Sequence, residues 1–179
     1  MLTLLGIPGA LRAASTNRLL LTEARRAFGD AHQTEADLRL PLYDGDMEDA
    51  QGIPAAVQTL ADQIAAADAI VISTPEYNKS LPGVVKNALD WVSRTKGSPF
   101  RDKPLAIISA ADGRSGGHCA QFALRLCLVG FRARLLQGPE VMVADSSHAF
   151  DAAGRLIDPR NEKALTELMT QLRAQTTRA

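Results

Sequence analysis

Cysteine, unbalanced charge and long hydrophobic stretches are all scarce in this sequence of 179 residues. Twenty basic residues stand against twenty acidic ones, so nothing indicates a nucleic acid or an anionic membrane surface as a partner. No apolar run approaches the roughly 20 residues that a membrane-spanning helix needs. The first residues, MLTLLGI, are strand-like and lack the basic and apolar regions of a signal peptide, so we expect a cytoplasmic protein.

The two cysteines, Cys119 and Cys127, exclude a disulfide framework. They stand eight residues apart in a predicted helix, which places them about 12 Å apart along its axis and too far apart for a disulfide. No internal repeat, low-complexity segment or linker divides the chain. The length therefore predicts one α/β domain over residues 1–179 with a core of its own.

Apolar runs and amphipathic segments alternate five times along the chain. Strands are predicted at residues 2–7, 34–38, 68–73 and 103–109, with a broken fifth strand at 132–136 and 139–143. Helices are predicted at residues 16–28, 53–66, 84–94, 118–129 and 159–175, and residues 39–46 are expected to form an irregular loop. This alternation is typical of a parallel sheet that is covered on both faces and connected by right-handed crossovers.

The loop after the first strand contains the groups that a phosphate dianion needs. Arg12, Ser15, Thr16 and Asn17 precede or open a helix, so a guanidinium, two hydroxyls, an amide and free helix N–H groups lie in one place. The alternative interpretation is a well-capped helix with incidental arginines.

Two further polar loops follow the third and fourth strands. Residues 73–83 are stiffened by Pro75 and Pro82, and residues 110–117 are rich in glycine, which lets the backbone approach a ligand closely. The three loops can converge only if their strands are neighbours. The flavodoxin-like strand order 2-1-3-4-5 makes them neighbours and places a flavin mononucleotide (FMN) site between the first and third strands.

The three loops also carry a family resemblance. The segments GALRAASTNRLL, STPEYNKSLPGVVKNALDWVSR and SAADGRSGGHCAQ together resemble the NAD(P)H-dependent FMN reductase family, which includes bacterial quinone and chromate reductases. The resemblance covers roughly residues 2–145, and its middle segment is the most specific. It implies a flavodoxin-like three-layer sandwich around a five-stranded parallel sheet, with FMN as the cofactor.

The resemblance also implies a set of cofactor-binding residues. The first loop would bind the FMN phosphate, the second would lie against the isoalloxazine ring, and the third would close over the same end of the cofactor. These residues are Arg12, Ser15, Thr16, Asn17, Pro75, Glu76, Tyr77, Asn78, Ala111, Gly113, Arg114 and Gly117. The backbone amides of residues 76–78 are the expected donors to the polar edge of the ring.

The sequence departs from the family pattern in the first loop. Ala10 stands where the family usually has serine, and Pro8 removes an amide donor just upstream, so we expect FMN to be held more loosely than in relatives. We assign no general acid, general base or metal ligand. Glu76 is expected to be a solvated loop residue or a subunit contact.

The reaction implied by the resemblance is a two-step transfer. NADPH or NADH would pass a hydride to FMN, and a quinone, flavin or similar small acceptor would then take its place, which gives ping-pong kinetics. The resemblance implies a homodimer or homotetramer.

Three other functions stay open. A flavodoxin-type electron carrier would share the fold and cofactor, but such carriers tend to be strongly acidic. A flavin-free dehydrogenase would need G-x-G-x-x-G after the first strand and an acidic residue closing the second, and the first loop has only Gly6 and Gly9. An FMN-poor redox-sensing module of the same fold is the third, and Ala10 keeps it open.

Overall fold

All six strands found among residues 1–176 lie in one parallel sheet. A computed structural model describes residues 1–176 and gives the order β2-β1-β3-β4-β5, with β6 pairing with β4 as well. The strands are β1 (Thr3–Pro8), β2 (His32–Glu35), β3 (Ala69–Thr74), β4 (Pro104–Ala110), β5 (Arg134–Leu135) and β6 (Met142–Val143). The predicted flavodoxin-like order 2-1-3-4-5 is confirmed.

In the described part of the chain, six α-helices connect or follow these strands. They are α1 (Thr16–Phe28), α2 (Gly45–Gln51), α3 (Ala55–Ala66), α4 (Gly83–Val92), α5 (His118–Leu128) and α6 (Pro159–Gln175). No helix among residues 1–176 combines the length and the apolarity that crossing a bilayer requires.

The strands that precede the three polar loops bury both of their faces. In β1 and β3, Leu5 and Ile70 pack into the cluster under α3, α4 and α5, whereas Leu4 and Val71 pack into the cluster under α1 and α6. Successive side chains of a strand point to opposite faces, so two apolar clusters form from one continuous apolar run. This packing fixes β1, β3 and β4 side by side, as the convergence of their loops requires.

The position of the fifth strand is shared by two short strands. Arg134–Leu135 pairs with the start of β4, and Met142–Val143 pairs with its end at Ser109 and Ala110. The predicted break is therefore correct. Its consequence is that the chain leaves β6 at the same sheet edge as the three polar loops.

Two predicted elements differ from the structure. Residues 39–46 were expected to be irregular, but α2 begins at Gly45 because the Asp44 side chain accepts a hydrogen bond from Asp46 N at 2.9 Å. The helix has no buried residue, and apolar periodicity therefore gives no sign of it. The second strand runs over His32–Glu35 rather than 34–38. This edge strand consists of exposed or half-buried polar residues, so no apolar run marks where it begins and ends.

The segment after β6 is anchored on α1 by a buried carboxylate. Glu23, whose side chain is 3% exposed, pairs with Arg155 at 2.9 Å and accepts a hydrogen bond from Leu156 N at 3.3 Å. Burial raises the pKa of Glu23, but the hydrogen bonds from Arg26, Arg155 and Leu156 N outweigh it and lower the pKa below its ordinary value. The carboxylate is therefore charged at neutral pH and holds this segment beside the sheet edge.

Candidate functional site

A cleft of about 730 Å³ opens where the loops after β1, β3 and β4 meet at the carboxyl edge of the sheet. That volume is typical of a site for a small molecule or cofactor. The cleft is lined by Ala10, Arg12, Ala14, Ser15, Thr16, Asn17, Pro75, Glu76, Tyr77, Asn78, Lys79, Ala110, Ala111, Asp112, Gly113, Ser115, Ser146 and Ser147. Of the predicted site residues, all line it except Arg114 and Gly117.

The first loop ends in a helix N-terminus that can bind an anion. Ser15 caps α1 by accepting a hydrogen bond from Asn17 N at 3.2 Å, which leaves the hydroxyl proton of Ser15 free to donate. The first turn of α1 carries no acidic side chain. Thr16 N has no acceptor and the exposed Arg12 has no ion-pair partner among residues 1–176. Residues that line the cleft therefore offer a guanidinium, a hydroxyl proton and a helix amide that the described part of the protein does not use.

Asn17 has a different place from the other residues of this loop. Its side chain is 1% exposed, accepts hydrogen bonds from Ser73 Oγ and Ala110 N at 3.0 Å each, and donates to Ala110 O at 2.8 Å. The amide therefore ties the start of α1 to the ends of β3 and β4. It lines the cleft floor, but the protein already uses both ends of its side chain.

The first and second loops touch along their backbones at Gly9. A Cβ atom there would lie 2.9 Å from Ser73 O, closer than real Cβ atoms come, and 3.0 Å from the Thr74 Cα. Gly9 N donates to Ser73 O at 2.7 Å. Glycine at this position therefore lets the phosphate-type loop and the Pro75 loop form adjoining walls of one cleft.

The second loop ends in a tight turn. Tyr77 and Ser80 exchange two backbone hydrogen bonds of 3.0 and 3.1 Å, and Asn78 and Lys79 between them have φ angles of 50° and 64°. Positive φ at both central residues is the signature of a type I′ turn. The amide of Tyr77 is consumed by this turn, so of residues 76–78 only Glu76 and Asn78 keep an amide without an acceptor in the described part of the chain.

Glu76 is neither a solvated residue nor an open carboxylate. Its side chain is 11% exposed and accepts hydrogen bonds from Cys119 N at 2.8 Å and Ala120 N at 3.3 Å, with Lys79 Nζ at 3.8 Å. Gly117 precedes α5 and offers no side chain to cap that helix. Glu76 supplies the cap from the second loop, where its charge also complements the helix dipole. The expectation of a solvated residue was wrong because the helix that needs the cap begins 42 positions later in sequence, at His118.

The third loop depends on two glycines with positive φ. At Gly116, with φ of 58°, a Cβ atom would lie 2.5 Å from the backbone of Met142, and at Gly117, with φ of 98°, it would lie 2.7 Å from the Ser109 Cβ. Gly117 therefore supports the cleft from behind, which explains why it does not line it. Arg114 is exposed and does not line the cleft, whereas Ala111 and Gly113 do.

Ser146 and Ser147, which form a wall of the cleft beside the third loop, were not among the predicted site residues. Ser146 and Ser147 stand just after β6 and line the cleft together with Asp112. Their signal in the sequence is positional, because polar residues that follow the fifth strand reach the same sheet edge as the other three loops. No cluster of three or more histidine, cysteine or acidic side chains able to hold a metal ion occurs within residues 1–176.

An acidic residue does close the second strand, as a dinucleotide-binding dehydrogenase would require. That residue, Glu35, is engaged by two cations of α1: Arg18 forms an ion pair with one carboxylate oxygen, and Arg25 Nη2 lies 2.8 Å from the other. Glu35 is not among the residues that line the cleft. The structure therefore gives no support to the flavin-free dehydrogenase.

Comparison with known proteins shows that this chain is similar to FMN reductases and quinone reductases. The family model described as NADPH-dependent FMN reductase matches residues 2–148. An NAD(P)H-dependent FMN reductase of Pseudomonas aeruginosa is 45% identical over 172 residues, which cover 95% of this chain and 91% of that protein. A quinone reductase of Escherichia coli is 37% identical over 166 residues, covering 90% of this chain and 88% of that one.

A solved structure extends the similarity to the whole fold. The flavoenzyme NAD(P)H:acceptor oxidoreductase of Paracoccus denitrificans superposes with a TM-score of 0.88 at 29% identity. The alignment covers 99% of this chain and 98% of that one, so no large element of either protein lacks a counterpart.

Proposed function

Because the chain belongs to the NADPH-dependent FMN reductase family, we propose that it binds FMN in the cleft and oxidises NADPH or NADH in favour of a quinone or a similar small acceptor. The observation that carries this proposal is the junction of a donor-rich helix N-terminus with a rigid turn in one cleft. Donor and acceptor are proposed to use the same open face in turn, so the kinetics are ping-pong.

The residues of the cleft fit FMN at its phosphate end. Arg12, the Ser15 hydroxyl and Thr16 N are the groups we propose as phosphate donors, and none of them is used up by the protein. A dianion beside a guanidinium and a helix N-terminus gains charge-assisted hydrogen bonds, which are about twice as strong as neutral ones. Ala10 lines the same region without a hydroxyl, which supports looser retention of the cofactor.

The second loop is proposed to hold the ring end. Bound FMN supplies the redox chemistry, accepting electrons from the nicotinamide and releasing them to the acceptor. The amides of Glu76 and Asn78 are available to donate to the polar edge of a ring, and negative charge that develops there would be stabilised by them. These donors are preorganised, since Glu76 is clamped to α5 and Asn78 stands in a hydrogen-bonded turn.

The exposed Tyr77 marks where small molecules would enter. It is 52% exposed and is the first residue of the turn, so its ring borders the cleft without sealing it. An open face admits a nicotinamide and then a planar acceptor to the same position, and it imposes little selection among acceptors. No side chain at this position is proposed as a general acid or base.

Steady-state kinetics test the proposal. With FMN-loaded protein, NADPH or NADH varied at several fixed concentrations of a benzoquinone is expected to give parallel double-reciprocal lines. Parallel lines follow because oxidised nicotinamide leaves before the quinone binds. Intersecting lines would contradict the ping-pong scheme, and failure to oxidise either nucleotide would contradict the enzyme.

We also propose that a second copy of the chain covers an exposed apolar face of α5. Phe122, Leu126 and the following Val129 are 51%, 75% and 72% exposed, and their spacing of four and three positions sets them on one side. The stripe begins one turn after Gly117, so a second copy seated on it would lie beside the cleft.

Sedimentation tests this assembly. Leu126→Glu is expected to shift the wild-type dimer or tetramer towards a smaller species, because it buries a charge in an apolar contact. Ile157→Glu, at an apolar position that is 59% exposed elsewhere on the surface, is the matched control and is expected to leave the mass unchanged. A wild-type monomer, or equal masses for both variants, would contradict this interface.

A further inference from the structure

Asp112 places a carboxylate in the wall of the cleft that the loop after β4 forms. Its Oδ1 accepts hydrogen bonds from Ser146 Oγ and from Ser147 N, both at 2.9 Å. Ser146, only 4% exposed, also accepts a hydrogen bond from the Thr16 hydroxyl at 3.3 Å. One chain of hydrogen bonds therefore runs from the first turn of α1 through Ser146 to Asp112.

This network fixes both the position and the charge of the carboxylate. The hydrogen bonds from the Ser146 side chain and from Ser147 hold the pKa of Asp112 below its ordinary value, so the group is ionised at neutral pH. The backbone is fixed as well, since Ala111 N donates to Val143 O at 3.0 Å. Among the residues that the structure describes, no side chain forms a salt bridge with Asp112, although the charge of a protonated His148 also helps to lower its pKa.

A fixed, unpaired carboxylate in a ligand cleft has a limited set of partners. It has two oxygens with about four acceptor sites, and the Ser146 and Ser147 groups fill up to three of them. It can only accept, so it favours a ligand group that donates a hydrogen bond. A phosphate beside it would be repelled, whereas a sugar hydroxyl would gain a charge-assisted hydrogen bond.

We propose that the Asp112 carboxylate binds a sugar hydroxyl of the ligand, with Ser146 as its positioning residue. Two sources of that hydroxyl enter this cleft: the ribityl chain of FMN and the ribose of the nicotinamide dinucleotide. The inference rests on the proposed function, because both sources are ligands of that function. It adds a binding group that neither the first loop nor the Pro75 loop supplies.

The test compares Asp112→Asn with Asp145→Asn. The control removes the same unit of charge from the neighbouring loop, where Asp145 pairs with His148 and does not line the cleft. Dissociation constants for FMN and lumiflavin, which lacks the ribityl chain, are measured by fluorescence quenching, and KM and kcat are measured with NADH. Asp112 is exposed, so the variant is expected to fold, and Asp112→Ala is the second variant.

The expected result is a loss of about tenfold in one of two places, since a charged acceptor is replaced by a neutral one. If FMN weakens and lumiflavin does not, the ribityl chain supplies the hydroxyl. If FMN is unchanged and KM for NADH rises while kcat holds, the ribose supplies it. Asp145→Asn is expected to change neither.

Three results would overturn the inference. Tighter FMN binding by Asp112→Asn would show that the carboxylate only repels the phosphate. Equal weakening of FMN and lumiflavin would place the contact on the ring. No change in FMN affinity or in KM would show that Asp112 touches no ligand. Wild-type protein that binds no FMN would instead refute the proposed function, so the two failures are distinguishable.

The role of Ser146 has its own readout. The ratio of wild-type affinity to Asp112→Asn affinity is expected to fall only at acidic pH, below the ordinary range of an aspartate, because the carboxylate must be protonated to lose its charge. In Ser146→Ala that fall is expected to move to higher pH, since one of the hydrogen bonds that lower the pKa is gone. An unshifted pH profile would contradict the positioning role.

Discussion

Asn17→Ala is expected to lower the free energy of unfolding by about 3 kcal/mol, because it strands several buried polar groups at once. The wild-type side chain satisfies Ala110 N, Ala110 O and Ser73 Oγ in the floor of the cleft. Each buried group left without a partner costs about 1–3 kcal/mol. These hydrogen bonds connect α1 to β3 and β4 and involve no ligand, so the loss of stability is expected in the ligand-free protein.

Urea unfolding of the ligand-free protein measures this effect. Asn161→Ala, at a half-buried position on the first turn of α6, is the matched control, and its effect is expected to stay within about 0.5 kcal/mol because no buried hydrogen-bond network is broken. Equal stability of Asn17→Ala and the control would show that Asn17 does not hold the sheet edge together. A variant that keeps full stability but loses FMN would favour a direct ligand role for Asn17.

Arg12→Ala is expected to weaken FMN binding by about 2 kcal/mol, roughly 30-fold, because it removes a charge-assisted contact to the phosphate. Arg12 is exposed and has no partner within residues 1–176, so the substitution is expected to leave the stability of the ligand-free protein nearly unchanged. Arg12 and Asn17 stand five positions apart, yet Arg12→Ala is expected to lower FMN affinity and Asn17→Ala to lower the stability of the ligand-free protein.

The matched control for Arg12 is Arg114→Ala, which removes the same charge from the third loop. Arg114 does not line the cleft, so its loss is expected to change FMN affinity by no more than about threefold, the long-range effect of one screened charge. Fluorescence titration with FMN measures both variants. Unchanged affinity in Arg12→Ala would contradict the assignment of the first loop, and a large loss in Arg114→Ala would return Arg114 to the site.

The fold was predictable because its signals are local. The apolar run of β3 is bounded by polar residues on both sides, and the three loops each follow a buried strand, so alternation alone gives a parallel sheet. The neighbouring loops then fix the strand order. Helix α2 lacked such a signal, since a helix with no buried residue leaves no apolar stripe.

The chemistry of the site was less predictable because it depends on partners far away in sequence. Asn17 has the right residue type and position for a phosphate ligand, but β3 and β4 supply its hydrogen-bond partners. Glu76 likewise caps a helix that begins 42 positions later, at His118. Nothing within either loop distinguishes a free side chain from an engaged one.

The wall that Ser146 and Ser147 add to the cleft could not be predicted from residue types alone. Serines after a short, broken strand are common, and their value here comes from the pairing of β6 with the end of β4. That pairing brings Ser146 to Asp112 across 34 positions of sequence. The result is a cleft with four walls where the sequence indicated three.

The most direct test of the account is anaerobic mixing of the FMN-loaded protein with NADPH or NADH while the visible absorbance of the flavin is followed. Loss of that absorbance within seconds, and its return when a quinone is added, is the result expected of a reductase. Protein that binds FMN but keeps its absorbance for far longer than seconds with both nucleotides would contradict the account, and would favour an electron carrier of the same fold.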